Sequence, residues 1–115
     1  MLTAEGYAMD LAHCPVKATV DVIGGKWKTL ILYFLKDGPR RYNALRRDLK
    51  GASHKVLTEQ LRQLEKDGIV HRHALPGTIP SAEYSLAEYG KTLIPVLEAM
   101  AIWGAAHQEQ RTRLR

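Results

Sequence analysis

Residues 41–68 constrain this chain more than any other segment. They read Arg41-Tyr42-Asn43-Ala44-Leu45-Arg46-Arg47-Asp48-Leu49-Lys50, then Gly51-Ala52-Ser53, then His54-Lys55-Val56-Leu57-Thr58-Glu59-Gln60-Leu61-Arg62-Gln63-Leu64-Glu65-Lys66-Asp67-Gly68. Leu45 and Leu49 share the inner face of a first helix. Leu57, Leu61 and Leu64 make one apolar stripe on a second, and Lys55, Glu59, Arg62 and Lys66 fall opposite, with Thr58 at the edge. Gly51 relaxes the turn, Ser53 is a natural N-cap, and Asp67-Gly68 is a stop signal. Helix, tight turn and basic-faced helix make a helix-turn-helix, a shape whose second helix suits the major groove of DNA.

Charge agrees with that shape. Between Lys26 and Arg72 stand twelve Lys or Arg against five Asp or Glu, a local excess of seven; the whole chain carries +5, so the remainder sums to −2. A basic middle between near-neutral ends predicts one electropositive surface and a polyanionic partner. At 115 residues one domain is expected. The longest apolar run, residues 30–35, is too short to cross a bilayer, so no membrane association is expected. The N-terminus lacks the basic and apolar regions of a secretory signal, and Leu11-Ala12-His13-Cys14 is no lipoprotein site without a preceding apolar segment. A single Cys fits a reducing compartment, and a cytoplasmic location is expected.

The flanking segments complete a domain. Three regions are expected: an N-terminal arm over 1–13, the folded domain with a C-terminal dimerisation helix over 14–106, and a fraying basic tail over 107–115. Residues 15–23 read as a helix with Pro15 at its permitted first position and Val16, Val20 and Ile23 on one face. Gly24-Gly25 breaks it. Residues 26–36 form the most apolar helix, with Trp27, Leu30, Ile31, Phe34 and Leu35 at core spacing, stopped by Asp37-Gly38-Pro39. Residues 69–75 and 83–86 read as two strands around a turn-rich loop, the "wing" of a winged helix-turn-helix. From Glu88 the chain returns to helix, with Pro95 expected to bend it near Lys91. That helix is apolar on more than one face, which predicts a homodimer through terminal helices, with Leu93, Leu97, Met100 and Trp103 at the interface.

From Cys14 to about Trp103 the chain resembles the HxlR-type winged helix-turn-helix family of bacterial transcription regulators, relatives of the MarR-like group. The matching pieces are Cys14-Pro15-Val16, Gly24-Gly25-Lys26-Trp27-Lys28, Asp37-Gly38-Pro39-Arg40-Arg41-Tyr42-Asn43, Leu57-Thr58-Glu59-Gln60-Leu61-Arg62, Leu64-Glu65-Lys66-Asp67-Gly68 and Glu83-Tyr84-Ser85-Leu86. The resemblance implies a homodimer on a partly palindromic double-stranded operator, often near its own gene. Two positions depart from the family pattern. Ser81-Ala82 stand where the wing tip usually carries Lys or Arg, which argues against a strong wing cation. Ala87 replaces a Thr N-cap, a loss of about 1 kcal/mol that predicts a looser or shifted helix start.

The candidate DNA contacts are Ser53, His54, Lys55, Thr58 and Arg62 on the reading helix, with Arg41, Lys28 and Arg72 supporting from outside it. Lys26, Arg40, Arg46 and Arg47 are further candidates for the phosphate backbone. Cys14 stands before an expected helix N-terminus and near Lys17, an electropositive setting of the kind that activates thiols. Two readings of it stay open. In part of the family this Cys senses oxidants or electrophiles, here by an intersubunit disulfide, a mixed disulfide or S-alkylation; the other reading is a small buried hydrophobe. His71 and His73 share a strand face without a second ligand pair, so no metal site is expected. Tyr42, Tyr84 and Tyr89 are read as packing residues, with the lining of a small-molecule pocket as the alternative. No nucleophile–base pair or phosphate-binding Gly loop is present, so neither an enzyme nor a cofactor is expected. The expected function is a DNA-binding regulator, a repressor, with response through Cys14 as one of the two open readings of that residue. Its alternatives are a regulator answering a small-molecule ligand, and a winged-helix protein-interaction module.

Overall fold

The structure, a computed structural model, describes residues 10–77 and 81–114. Most of the arm expected over 1–13 and the wing-loop residues 78–80 therefore lie outside the described residues. A 3-10 turn, Leu11–His13, precedes six helices and three strands: α1 Pro15–Ile23, α2 Lys28–Leu35, β1 Arg40–Arg41, α3 Tyr42–Asp48, α4 His54–Lys66, β2 Val70–Leu75, β3 Ser81–Leu86, α5 Glu88–Lys91 and α6 Ile94–Arg113. The sheet is antiparallel in the order β1-β3-β2. This is the expected mainly α winged helix-turn-helix. The two-residue β1 is an addition, pairing Arg40 with Tyr84 and Arg41 with Glu83.

Helix α4 is built as its sequence pattern requires. Ser53 Oγ accepts the Val56 N–H at 3.1 Å, satisfying one of the free amides of the first turn. Leu57, Leu61 and Leu64 are all buried and meet Ile31, Leu32 and Leu35 of α2 and Leu45 of α3 in one core. The helix ends in a Schellman motif. The Ile69 N–H reaches the Leu64 carbonyl at 2.9 Å and the Gly68 N–H reaches Glu65 at 3.0 Å, with Gly68 at φ +75°. A side chain at Gly68 would strain that left-handed turn.

The sheet closes the core from one side. In β3, Ala82, Tyr84 and Leu86 alternate inward, while β2 buries only Val70 and runs out along its edge. The register sets Arg72 opposite Tyr84 and His73 opposite Glu83.

Several local expectations change. Helix α2 starts at Lys28, and its inward face is Ile31, Leu32 and Leu35; Leu30 points outward. Leu30 lies about 100° from Ile31 around the helix, so its neighbours take the core face. Pro95 does not bend one long helix. The helix divides, α5 ends at Lys91, and Pro95 occupies the first turn of α6, where its missing N–H costs nothing. Helix α6 then continues to Arg113, where a fraying tail was expected; an i,i+4 pair between Arg113 and Glu109 at 2.8 Å supports its last turn.

Helix α5 keeps its place without a side-chain cap. The Ala87 N–H donates to the Ile69 carbonyl at 2.9 Å and the Ala87 side chain is buried. One turn on, Gly90 lies so close to Ile69 that an added Cβ would overlap its carbonyl oxygen and stand 3.2 Å from Cγ2. Glu88 in the same turn accepts from Lys91 Nζ at 2.9 Å, which holds its carboxyl below the usual carboxylate range. Tertiary docking thus replaces the missing Thr cap.

The apolar surface is unevenly finished. Leu97 is 1% exposed and belongs to the protomer's own core, which removes it from the expected dimer interface. Leu93 is half-buried against the same core. Met100 and Trp103, by contrast, stand outside, Trp103 at 68% exposure. Val96 and Ile102 join them, and on α1 so do Val16 and Val20. No described helix is long and apolar enough to cross a membrane.

Candidate nucleic-acid interface

The buried leucine stripe of α4 fixes which of its residues face outward. Ser53, His54, Lys55, Glu59, Arg62 and Lys66 are exposed, and Thr58 is half-buried at the edge of that face. Between α4, the start of α3 and the sheet lies an open groove of about 460 Å³. His54, Thr58 and Arg62 line it from α4, Arg41 and Tyr42 from α3 and its cap, and Arg72 and Tyr84 from the sheet. Three guanidinium groups and one carboxylate, Glu65, border it, so its field is positive.

Five sequence candidates, His54, Thr58, Arg62, Arg41 and Arg72, thus meet in one groove. Ser53 and Lys55 stand at the exposed start of α4, with the Ser53 oxygen engaged as the helix cap. Lys28 does not join them. It is 8% exposed in the first turn of α2 and does not border the groove. Arg40 also changes role. Its guanidinium donates to the Phe34 carbonyl at 3.1 Å and to Asp48 at 3.0 Å, clamping the α2–β1 corner to α3. Arg47 remains exposed and shares with Arg41 a second hollow of about 550 Å³ beyond β1.

Tyr42 packs as read, but sequence reasoning missed what its hydroxyl touches. Its ring packs against the core, but its hydroxyl lies 2.6 Å from His54 Nδ1 and 3.5 Å from Thr58 Oγ1. The His54 ring meets it edge-on, with centroids 5.4 Å apart. Twelve and sixteen residues separate these partners, a distance across a turn that no local pattern encodes.

Cys14 lies away from the groove. It is the N-cap of α1, accepts the Ala18 N–H at 3.0 Å through its carbonyl, and is 7% exposed. Its thiol is therefore shielded in the protomer. Among the described residues no cluster of His, Cys, Asp or Glu could hold a metal ion.

Comparison with known proteins agrees with this geometry. The profile of the HxlR-like helix-turn-helix family matches residues 22–112. The uncharacterized HTH-type transcriptional regulator YdeP of Bacillus subtilis (strain 168) is 44% identical over 105 residues, covering 91% of this chain and 82% of that one. Among solved structures, the redox regulator HypR in its reduced form is 44% identical, with a TM-score of 0.81 over 87% of this chain and 99% of that one. The reduced form of the transcriptional regulator YodB from B. subtilis is 35% identical, with a TM-score of 0.67 over 78% and 89%. The chain belongs to the HxlR-like helix-turn-helix family of DNA-binding transcriptional regulators, which are not enzymes.

Proposed function

We propose that this protein is a homodimeric repressor that places α4 of each protomer in the major groove of one half-site of a partly palindromic operator. The observation that carries this reading is α4 itself: one face locked into the core by three leucines, the other presenting His54, Lys55, Thr58 and Arg62 beside a positive groove. Arg62 suits a guanine edge or a phosphate; Lys55, Arg41 and Arg72 suit the backbone. The unfinished apolar surface supports the dimer, since Val16 and Val20 of α1 with Met100, Ile102 and Trp103 of α6 are too many large exposed side chains for an isolated protomer. Two-fold symmetry then sets half-sites roughly 34–36 Å apart. Footprinting on a selected operator tests this: two protected half-sites one helical turn apart are expected, and a single protected site would contradict it. If a dimer neutralises roughly six to ten phosphates, affinity falls about 10³- to 10⁵-fold between about 50 and 200 mM salt.

A second reading concerns regulation. Structural neighbours bear the names of a redox regulator, in oxidized and reduced forms, and of a regulator solved in reduced and diamide-treated forms. Their likeness supports Cys14 as a thiol sensor whose modification moves the two reading helices. Burial at the start of α1 adds a condition: the surroundings of Cys14 must open before a reagent reaches the sulfur. Operator binding of wild type and Cys14→Ser, before and after a mild oxidant or electrophile, is the test. A response confined to wild type supports the sensor; an equal response in both sinks it and leaves a ligand-responsive regulator.

A further inference from the structure

The contact between Tyr42, His54 and Thr58 carries an inference that rests on the DNA-binding reading and deepens it. Tyr42 opens α3, His54 opens α4, and Thr58 follows one turn later, so one hydroxyl touches two reading residues from behind. A neutral imidazole holds one N–H and one lone pair, and a hydroxyl donates only one hydrogen. Two arrangements use the Tyr42 hydrogen within the contact. In the first, Thr58 donates to Tyr42, Tyr42 donates to His54 Nδ1, and the ring proton sits on Nε2. In the second every bond reverses. In a third, Tyr42 accepts from both neighbours and its own hydrogen has no partner there. The outward polarities of positions 54 and 58 are coupled and opposite in either of the first two.

The distances select among them. The short contact, 2.6 Å, is the one to Nδ1, and a phenol O–H giving to an imidazole lone pair is stronger than a neutral ring N–H giving to a phenol oxygen. The reverse arrangement would also send the Tyr42 hydrogen along the 3.5 Å contact to Thr58, the weaker of the two. We propose that Tyr42 is a specificity-determining positioning residue. It fixes His54 with its proton on Nε2, so that α4 offers a hydrogen-bond donor at position 54 and an acceptor at position 58. The donor matches the N7 or O6 of a purine; the acceptor matches the exocyclic amine of adenine or cytosine. Residues four apart on a helix are about 5–6 Å apart, so the pair reads neighbouring base pairs rather than one.

Tyr42→Phe tests this, because it keeps the packed ring and removes only the hydroxyl. The first readout needs no DNA: nitrogen-15 spectra of the His54 ring in the full-length protein under mildly alkaline conditions, assigned with His54→Gln. Wild type is expected to carry its proton on Nε2, and Tyr42→Phe to show a mixture of the two forms. The second readout is affinity for a selected operator and its single-base variants. Wild type is expected to lose roughly tenfold or more at the base pair facing His54. Tyr42→Phe is expected to discriminate only a few-fold there, with its salt dependence unchanged. A wild-type ring protonated on Nδ1, or a Tyr42→Phe protein with wild-type base preferences, overturns the proposal alone. Wild-type protein that selects no DNA sequence overturns the DNA-binding reading together with it.

Discussion

Helices α4 and α6 are both exposed over much of their length, yet they differ in what the fold has done with their apolar residues. In α4 every leucine of the stripe is buried and what remains outside is polar and basic. In α6 only Leu97 is buried, while Ile102 at 73% and Trp103 at 68% exposure stand in water. A helix of the first kind is complete in one protomer and offers charge to a partner that carries the opposite sign. A helix of the second kind is incomplete and calls for an apolar partner, for which a second copy of the same face is the economical choice. On this account one surface reads DNA and the other sets the spacing at which two copies read it.

Breaking the inner face of α4 has the largest expected effect. Leu61→Ala removes a fully buried side chain and should cost about 2–5 kcal/mol, measured by urea unfolding at a protein concentration that holds association constant. The outer face of α6 should respond differently. Trp103→Ala is expected to weaken self-association by about 2 kcal/mol or more in sedimentation equilibrium while far-ultraviolet circular dichroism stays that of a folded chain. A Trp103→Ala protein that associates like wild type would remove α6 from the interface. Leu97→Ala is the internal control and should lower stability, because its side chain belongs to the protomer's core.

Arg62→Ala sharpens the α4 side. Its side chain is exposed beside the groove, so stability should barely change while operator affinity falls by about 1–3 kcal/mol if Arg62 meets a guanine. A uniform loss on all sequences, with a salt slope smaller by about one, would assign it to a phosphate instead. The smallest expected effect belongs to Ser53→Ala, about 1 kcal/mol of stability from the lost cap bond to Val56, read as a lower melting temperature.

The comparison also explains what the sequence could and could not reveal. Helix α4 was legible because its rules are local: a capping serine, leucines at helical spacing, and a glycine stop that became a Schellman turn. The wing strands were legible as two short runs around a turn-rich loop, although β3 begins at Ser81 and takes in part of the region read as a loop. What failed was decided by distant partners. Nothing near Arg40 announces a strand whose partner is Tyr84, nor that its charge serves Phe34 and Asp48. Lys28 was counted with the basic surface because charge predicts exposure, yet tertiary packing buried it. In α1, Val16 and Val20 kept the expected helical spacing but face outward, since periodicity identifies an apolar face without saying which protomer covers it.

The most direct test of the central claim begins with selection of binding sequences from a random duplex pool by the wild-type protein. Fluorescence anisotropy on the enriched sequence and on a scrambled duplex follows, at one fixed salt concentration. The account predicts an enriched motif of two symmetric halves about one helical turn apart, bound at least about 10³-fold more tightly than the scrambled control. A pool that enriches nothing, with equal weak binding to both duplexes, would contradict it and leave the winged helix as a surface for another protein.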